Sequence, residues 1–378
     1  MQKILICSDK YKGCLTSGQV NKAIHDGIVA ACHHALCDLV TVSDGGDGFL
    51  AAIPELELLQ FPAYNALLEP ITATIGYKSA VVYIEIASII GFAMLKNNPG
   101  TIWQRSSYGL GKLIHDILNS NLQVQKIVIA CGGSSTNDSG FGCLLGLGAE
   151  AFDENDNLLP PQLHSIDKIK RIDASAMHPK LKQVEIEVVA DVRGDLLGKH
   201  GCTHTFARQK GATNKDLPLL ENLVLNFQQQ ILNNLGVNLS SSGYGLCSGG
   251  LAALFSILPL VHYFDGAAWV IRHTNLEAKI AYCDMVFSGE GMVDATTLHG
   301  KLLYHIARLC KMQHKPLIVI AGQINCDLNK LYNLGITTAF PIINHYVANN
   351  NLFAGSDKLI TDRVRDLFNF YNANSLDI

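Results

Sequence analysis

The chain lacks most of the signatures that settle a function quickly. No block of basic residues stands anywhere in its 378 residues, and the formal net charge is −4. Nucleic acid is therefore not an expected partner. The longest apolar stretch, Leu251 to Val261, is about half of what a spanning helix needs, so no membrane partner is expected either. The 11 cysteines form no C-x-x-C pair, and Cys32 and Cys37 stand five apart. The 14 histidines form no H-E-x-x-H. Zinc is thus unsupported, and the thiols read as core filler in a reducing, cytoplasmic setting. The opening residues Met1 to Asp9 read as a strand running into a polar turn rather than as a leader. There is no G-x-S-x-G elbow, no G-x-x-x-x-G-K-[ST] loop and no G-x-G-x-x-G fingerprint. Charged residues are few, at 16%, against 48% hydrophobic, which leaves no case for disorder and ample material for a core.

What is present is glycine, 33 residues clustered in turns. The most prominent cluster is Cys131-Gly132-Gly133-Ser134-Ser135-Thr136-Asn137-Asp138-Ser139-Gly140-Phe141-Gly142. The apolar run Ile127 to Ala130 before it predicts a buried strand, and Phe141 to Leu147 after it predicts a helix. Backbone N–H groups in such a turn, and at the helix start, suit an anion. Glycine lets the backbone approach that anion closely.

The order of elements predicts an α/β protein of two domains. Ile4 to Cys7 reads as a strand, Ser17 as a helix cap, and Leu39 to Val42 as the next strand. Strand and helix alternate again in the last quarter, with strands at Asp284 to Phe287, Leu317 to Ala321 and Thr338 to Pro341. Helices are expected over His299 to Met312 and Lys358 to Phe370. Between these ends lie Val81 to Ala87, the helix Gly109 to Asn119, Val184 to Ala190 and the helix Lys215 to Leu235. No internal repeat is visible. Two halves of one sheet around a long middle segment suggest that a second α/β domain is inserted into the first. The first would span 1–65 and 270–378, and the insert 66–269, with the boundary near Phe61 to Pro70 and the site between them.

Four strand-end turns pair a carboxylate with glycine or a polar cluster. They carry Asp44 in Asp44-Gly45-Gly46-Asp47-Gly48, Asn137 with Asp138, Asp191, and Glu290 in Ser288-Gly289-Glu290-Gly291 with Asp294. Such carboxylates can hold Mg²⁺ or take a proton from a hydroxyl. Cations stand close by in sequence: Lys10, Lys12, Arg105 before Ser106, Lys210, and Lys301. Phosphoryl transfer needs fixed cations around phosphates and carboxylates that position metal or nucleophile. The residues alone point to an α/β enzyme of anionic, phosphorylated ligands.

At these motifs the chain resembles the type I glycerate kinase family, from Ile4 to about Ala321 and more weakly to the end. The resemblance is carried by Ser8-Asp9-Lys10-Tyr11-Lys12, Ser43-Asp44-Gly45-Gly46-Asp47-Gly48, Ser106-Ser107-Tyr108-Gly109-Leu110-Gly111, Gly132-Gly133-Ser134-Ser135-Thr136-Asn137-Asp138, Gln209-Lys210-Gly211-Ala212, and Gly289-Glu290-Gly291 with Asp294, Thr297, Gly300 and Lys301. It implies an ATP- and Mg²⁺-dependent kinase of D-glycerate, with 2-phosphoglycerate as product. It implies a flavodoxin-like domain with a second α/β domain inserted. On this resemblance Asp191 and Asp294 would orient the hydroxyl or Mg²⁺, with Asp44 and Glu290 in support. Lys301 would stabilise the transferring phosphoryl group, and Lys10, Lys12 and Arg105 would hold the carboxylate. Ser106, Ser134, Asn137, Asp138 and Lys210 would contact substrate or phosphate. Two departures stand out: Met292, where the family has a basic residue, and Arg193-Gly194-Asp195 after Asp191 and Val192. They leave open a kinase of another small hydroxy acid and a catalytically silent ligand-binding relative. Oligomeric state, a homo-oligomer included, is left open.

Overall fold

The computed structural model describes residues 2–95, 100–342 and 355–374. The chain divides into two compact units. One comprises Met1–Asp44, Ala51–Pro54 and Ala267–Ile378, the other Gly45–Leu50 and Glu55–Gly266. Both are α/β. No described helix is long and apolar enough to cross a membrane.

The first unit is built on five parallel strands: Lys3–Ile6, Leu36–Leu39, Met285–Asp294, Leu317–Asn325 and Thr338–Pro341. Counted in chain order, they lie 2-1-3-4-5 across the sheet. The buried strand Lys3–Ile6 packs beneath the helix Ser17–Ala31, whose Val20, Ile24 and Ile28 are fully buried. Thr16 caps that helix, one residue before the expected Ser17, in a capping box with Gln19. Ser17 sits inside the helix with other work. Its hydroxyl donates to Ser8 O at 2.7 Å and accepts from Val42 N at 3.1 Å. Asn21, one turn on, accepts from Ser8 N at 2.8 Å and donates to Val40 O at 2.9 Å. Two polar residues of one helix thus fasten the loops that leave the first and second strands. The second strand ends at Leu39, earlier than expected, because Val40 N makes the last bond to Ile6 O and the chain then turns to these side chains. The helix Ser356–Asn374 crosses Ser17–Ala31 closely: a Cβ on Gly27 would lie 2.6 Å from Thr361 O.

The third strand corrects a further expectation. Ser288-Gly289-Glu290-Gly291 reads as a turn in sequence, yet it lies within a strand running unbroken from Met285 to Asp294, paired with Leu317–Asn325. The glycines serve close strand approach: a Cβ on Gly289 would meet Ile320 O at 1.8 Å. The helix expected over His299 to Met312 begins instead at Leu302 and ends at Met312, preceded by a 3₁₀ turn, Ala295–His299.

The second unit holds a six-stranded mixed sheet. From one edge to the other run Val261–Asp265, Glu185–Ala190, Lys126–Ala130, Val81–Glu85, Pro70–Lys78 and Glu57–Tyr64. The first four are mutually parallel, and the last two join antiparallel. Glu57–Tyr64 runs through the stretch whose prolines suggest a boundary. Pro62 is tolerated there because the strand is an edge, where a missing N–H costs little. The helices Tyr108–Asn119 and Asp216–Leu235 cover the sheet with Leu110, Leu113, Ile114, Leu220, Val224 and Phe227 in a continuous core. A two-stranded hairpin, Glu150–Phe152 with Arg171–Asp173, lies outside the sheet.

Candidate active site

In an open parallel sheet, ligands gather outside the carboxyl ends of the strands. In the first unit that end holds a cavity of about 480 Å³, lined by residues that include Asp9, Lys10, Lys12, Asp44, Glu290, Met292, Asp294 and Lys301. Seven of these eight were singled out in sequence as site candidates or, for Met292, as a departure. Asp9 was quoted only within its motif.

Lys10 links two carboxylates. Its Nζ lies 2.9 Å from Asp44 Oδ1 and 3.6 Å from Asp9 Oδ1. Asp9 is held by its backbone, with its N–H donating to Gly289 O at 2.9 Å, and its Oδ1 accepts from Lys10 N at 2.8 Å. Burial, then the Asp44 charge, push the Asp9 carboxyl up to about 7 against the pull of Lys10. Glu290 is also raised, first by burial, while the hydroxyl of Thr297 at 2.5 Å and Lys301 at 3.5 Å oppose the shift. Asp294 behaves in the opposite way. Its Oδ1 accepts from Thr296 N and Oγ1 at 2.8 and 2.6 Å, and the Thr296 hydroxyl chiefly holds it below the usual carboxylate range. Lys301 is the N-cap residue of Leu302–Met312, so its ammonium adds to the positive end of a helix.

In the second unit the glycine-rich loop 131–142 follows the strand Lys126–Ala130. Asp138 organises it from inside. The carboxylate accepts from Ser107 N and Oγ at 2.8 Å and from Gly140 N and Gly142 N at 3.2 Å. Asp138 is 1% exposed and braces the loop. Arg105 is also buried, and its guanidinium donates to Ser135 O at 3.3 Å and Lys210 O at 2.7 Å. Ser106 is buried beside it, its hydroxyl accepting from Tyr108 N at 3.2 Å.

Lys210 is the buried cation of this loop. Its Nζ donates to Ser134 Oγ at 3.1 Å and Thr136 O at 2.7 Å. Burial pulls it down to about 8, with Asp138 and Asp191 among the groups that oppose the fall. Asn137 Nδ2 donates to Thr203 Oγ1 at 3.2 Å, but Asn137 Oδ1, Thr136 Oγ1 and Ser139 Oγ are buried without a partner among the described residues. Asp191 is exposed just past the strand Glu185–Ala190, and its Oδ1 accepts from Cys247 Sγ at 3.5 Å. Against this loop lie Ser248, Gly249 and Gly250, all with left-handed backbone. A Cβ on Gly249 would lie 2.3 Å from Thr136 O.

Among the described residues no three His, Cys, Asp or Glu side chains converge into a metal cage. Mg²⁺ is usually held by one or two carboxylates together with waters and substrate phosphates. Asp294 in the first unit and exposed Asp191 in the second are each a hard oxygen donor.

Strand-end carboxylates and lysines on one sheet, and a buried lysine bonded to a glycine-rich loop on the other, define an α/β enzyme that handles anions. The family model described as the glycerate kinase family matches residues 4–372. The chain belongs to the glycerate kinase family. It is 31% identical over 360 residues to glycerate 2-kinase of Escherichia coli K12, covering 94% of each chain. It is 28% identical over 375 residues to a glycerate kinase of Halalkalibacterium halodurans, covering 97% of each. A solved structure assigned as glycerate kinase 2 of Salmonella typhimurium LT2 superposes with a TM-score of 0.81 at 27% identity, over 99% of both chains.

Proposed function

We propose that this enzyme transfers the γ-phosphoryl group of ATP to a hydroxyl of D-glycerate, giving 2-phosphoglycerate. One observation carries the reading: a chain matched by the family from residue 4 to 372 keeps three lysines and four carboxylates around one cavity. The 2-1-3-4-5 strand order supports a flavodoxin-like assignment for that unit, with its ligands at the strand ends.

Lys10 and Lys12 hold the glycerate carboxylate, and Lys301 with its helix end stabilises the transferring phosphoryl group. Asp44 keeps Lys10 in place, and Glu290 does the same for Lys301. Lys210, Ser134 and the unpartnered hydroxyls of the glycine-rich loop take an anion, with Asn137 Oδ1 accepting from a ligand hydroxyl. Asp294 in the first unit and Asp191 in the second are each a carboxylate that would hold Mg²⁺, which supplies neutralisation of phosphate charge.

The test is incubation of purified protein with D-glycerate, ATP and Mg²⁺, following ADP release and assigning the phosphorylated hydroxyl by ³¹P NMR. Absence of ADP above background at millimolar glycerate refutes the substrate; a 3-phosphoglycerate product refutes the regiochemistry alone. A second reading, transfer to another small hydroxy acid, is favoured by Met292, which presents a 47% exposed apolar side chain at the cavity. A panel of hydroxy acids in the same assay separates the two. A silent ligand binder would instead show a ligand-induced rise in melting temperature with no ADP formed.

A further inference from the structure

We propose that Asp9 is the catalytic base of this enzyme, the group that takes the proton of the substrate hydroxyl; the inference rests on the kinase reading above. A base for that hydroxyl needs a fixed carboxylate, an oxygen not committed to the protein, and exposure to the ligand cavity. Four carboxylates line the cavity of the first unit, and the other three are less suited than Asp9. Asp294 caps the turn that follows it, its Oδ1 accepting from Thr296 N and Oγ1, and those bonds hold it below the usual carboxylate range, which makes it the weaker base. Glu290 commits one oxygen to Thr297 Oγ1 and the other to Lys301. Asp44 is paired with Lys10 at 2.9 Å. Asp9 commits only Oδ1, to Lys10; Oδ2 has no hydrogen-bond partner among the described residues.

The position of Asp9 is fixed from three sides. Its N–H is bonded to Gly289 O, and the preceding Ser8 is held by Asn21 and by the Ser17 hydroxyl. The charges facing it come from every neighbouring element. Lys10, Lys12 and Cys14 lie on its own segment, Asp44 follows the second strand, Glu290 and Asp294 belong to the third, and Lys301 opens the helix after it. Tyr11 turns its hydroxyl away, onto Ile320 O at 2.8 Å. Burial raises the carboxyl most and the Asp44 charge next, against the charge and backbone N–H of Lys10, and it sits at about 7. A base of that strength is half-ionised at neutral pH and accepts a proton readily.

The step balances. The substrate O–H bond breaks and its proton passes to Asp9 Oδ2. The freed electron pair forms the bond from oxygen to the γ-phosphorus. The bond from that phosphorus to the β-phosphate oxygen breaks, and ADP leaves with the electron pair. Asp9 then releases its proton to water.

The experiment is the kcat–pH profile of D-glycerate phosphorylation between pH 5.5 and 9 for the wild type, D9N, D9E and D44N, with melting temperatures. The wild type is expected to lose rate below a midpoint near 7. D9N should fall by about 100-fold or more, keep its KM for glycerate within about threefold, and lose the acid limb. D9E should recover part of the rate together with the limb. D44N, lacking the neighbouring negative charge, should move the limb to lower pH. Wild-type turnover with no acid limb, or a D9N enzyme that keeps the limb, overturns the role of Asp9 and leaves the kinase reading standing. Should D9N melt too low to assay, an unshifted limb in D44N overturns it instead. Absence of glycerate phosphorylation by the wild type overturns both.

Discussion

Replacing Lys210 by methionine tests whether the glycine-rich loop stores a buried charge for its ligand. The ammonium is buried, hydrogen-bonded to Ser134 and Thr136, and pulled from its ordinary 10.5 to about 8. That fall corresponds to about 3 kcal/mol at neutral pH. Methionine removes this cost but strands the Thr136 carbonyl, a loss of about 1–3 kcal/mol. At pH 7 the two proteins should therefore differ little in stability. Above pH 8 the folded wild type sheds the proton, while the unfolded chain keeps it to about 10.5. The unfolded state then binds more protons, so wild-type stability rises relative to the variant. The expected gain is about 2–3 kcal/mol between pH 7 and 10. Urea unfolding under reducing conditions measures it, with Trp103 fluorescence in a Trp269→Phe background, since Trp103 lies in the same unit as Lys210. Cysteine and tyrosine titrations are common to both proteins and cancel in the difference. A stability difference that stays flat within about 0.5 kcal/mol across this range would refute the buried charge. Where the charge is confirmed, an anion at the loop should bind with proton uptake near pH 9, visible as buffer-dependent heat.

Three further outcomes follow from the geometry. Asp138→Asn turns one of the two acceptor oxygens that hold four donors into a donor, and should lower stability by about 2–3 kcal/mol in the same fluorescence assay. Gly249→Ala puts a Cβ 2.3 Å from Thr136 O at a backbone φ of +65°, and should cost about 2 kcal/mol or more, read as a lower melting temperature. Met292→Arg adds a cation at the rim of the first unit's cavity; KM for an anionic substrate should drop severalfold at low salt and recover as ionic strength rises.

The features legible in sequence are those that local chemistry determines. Short apolar runs ending in Asp191 or the glycine-rich loop mark strand ends, and strand ends are where the candidate residues gather. The 20-residue helix Asp216–Leu235 shows its apolar period plainly. What stayed hidden depends on partners far along the chain. Gly289 and Gly291 look like turn residues until Leu317–Asn325 pairs beside them and needs their missing side chains. Pro62 looks like a strand breaker until the strand proves to be an edge. Arg105 and Lys210 are both isolated cations in sequence, and only packing shows that one donates to the carbonyls of Ser135 and Lys210 while the other donates to Ser134 Oγ and Thr136 O of the glycine-rich loop. Asp9, flanked by Lys10 and Lys12, looks like half of a surface ion pair. The signal that separates it is its place one residue past a fully buried Ser8, just beyond an interior strand of the sheet.

The division of the chain also bears on the order in which it assembles. Ser288 donates to Cys7 O across 281 residues, so the first strand leaves the ribosome long before its neighbour exists. At about 5–20 residues per second, that interval is on the order of 15–60 s, during which one side of the strand is an unpaired edge. The inserted unit shortens the wait in space if not in time. Its two ends meet, since a Cβ on Gly45 would lie 3.1 Å from the Cα of Gly266. Once that unit has folded, it acts as a covalent clasp that holds residues 44 and 267 together. The late segment is then delivered to the early one across a loop of a few dozen residues rather than nearly three hundred. By loop-closure entropy this is worth only about 1 kcal/mol. Its larger effect is sequence in time: the second unit folds first, and the sheet bearing Asp9, Lys10 and Glu290 closes last.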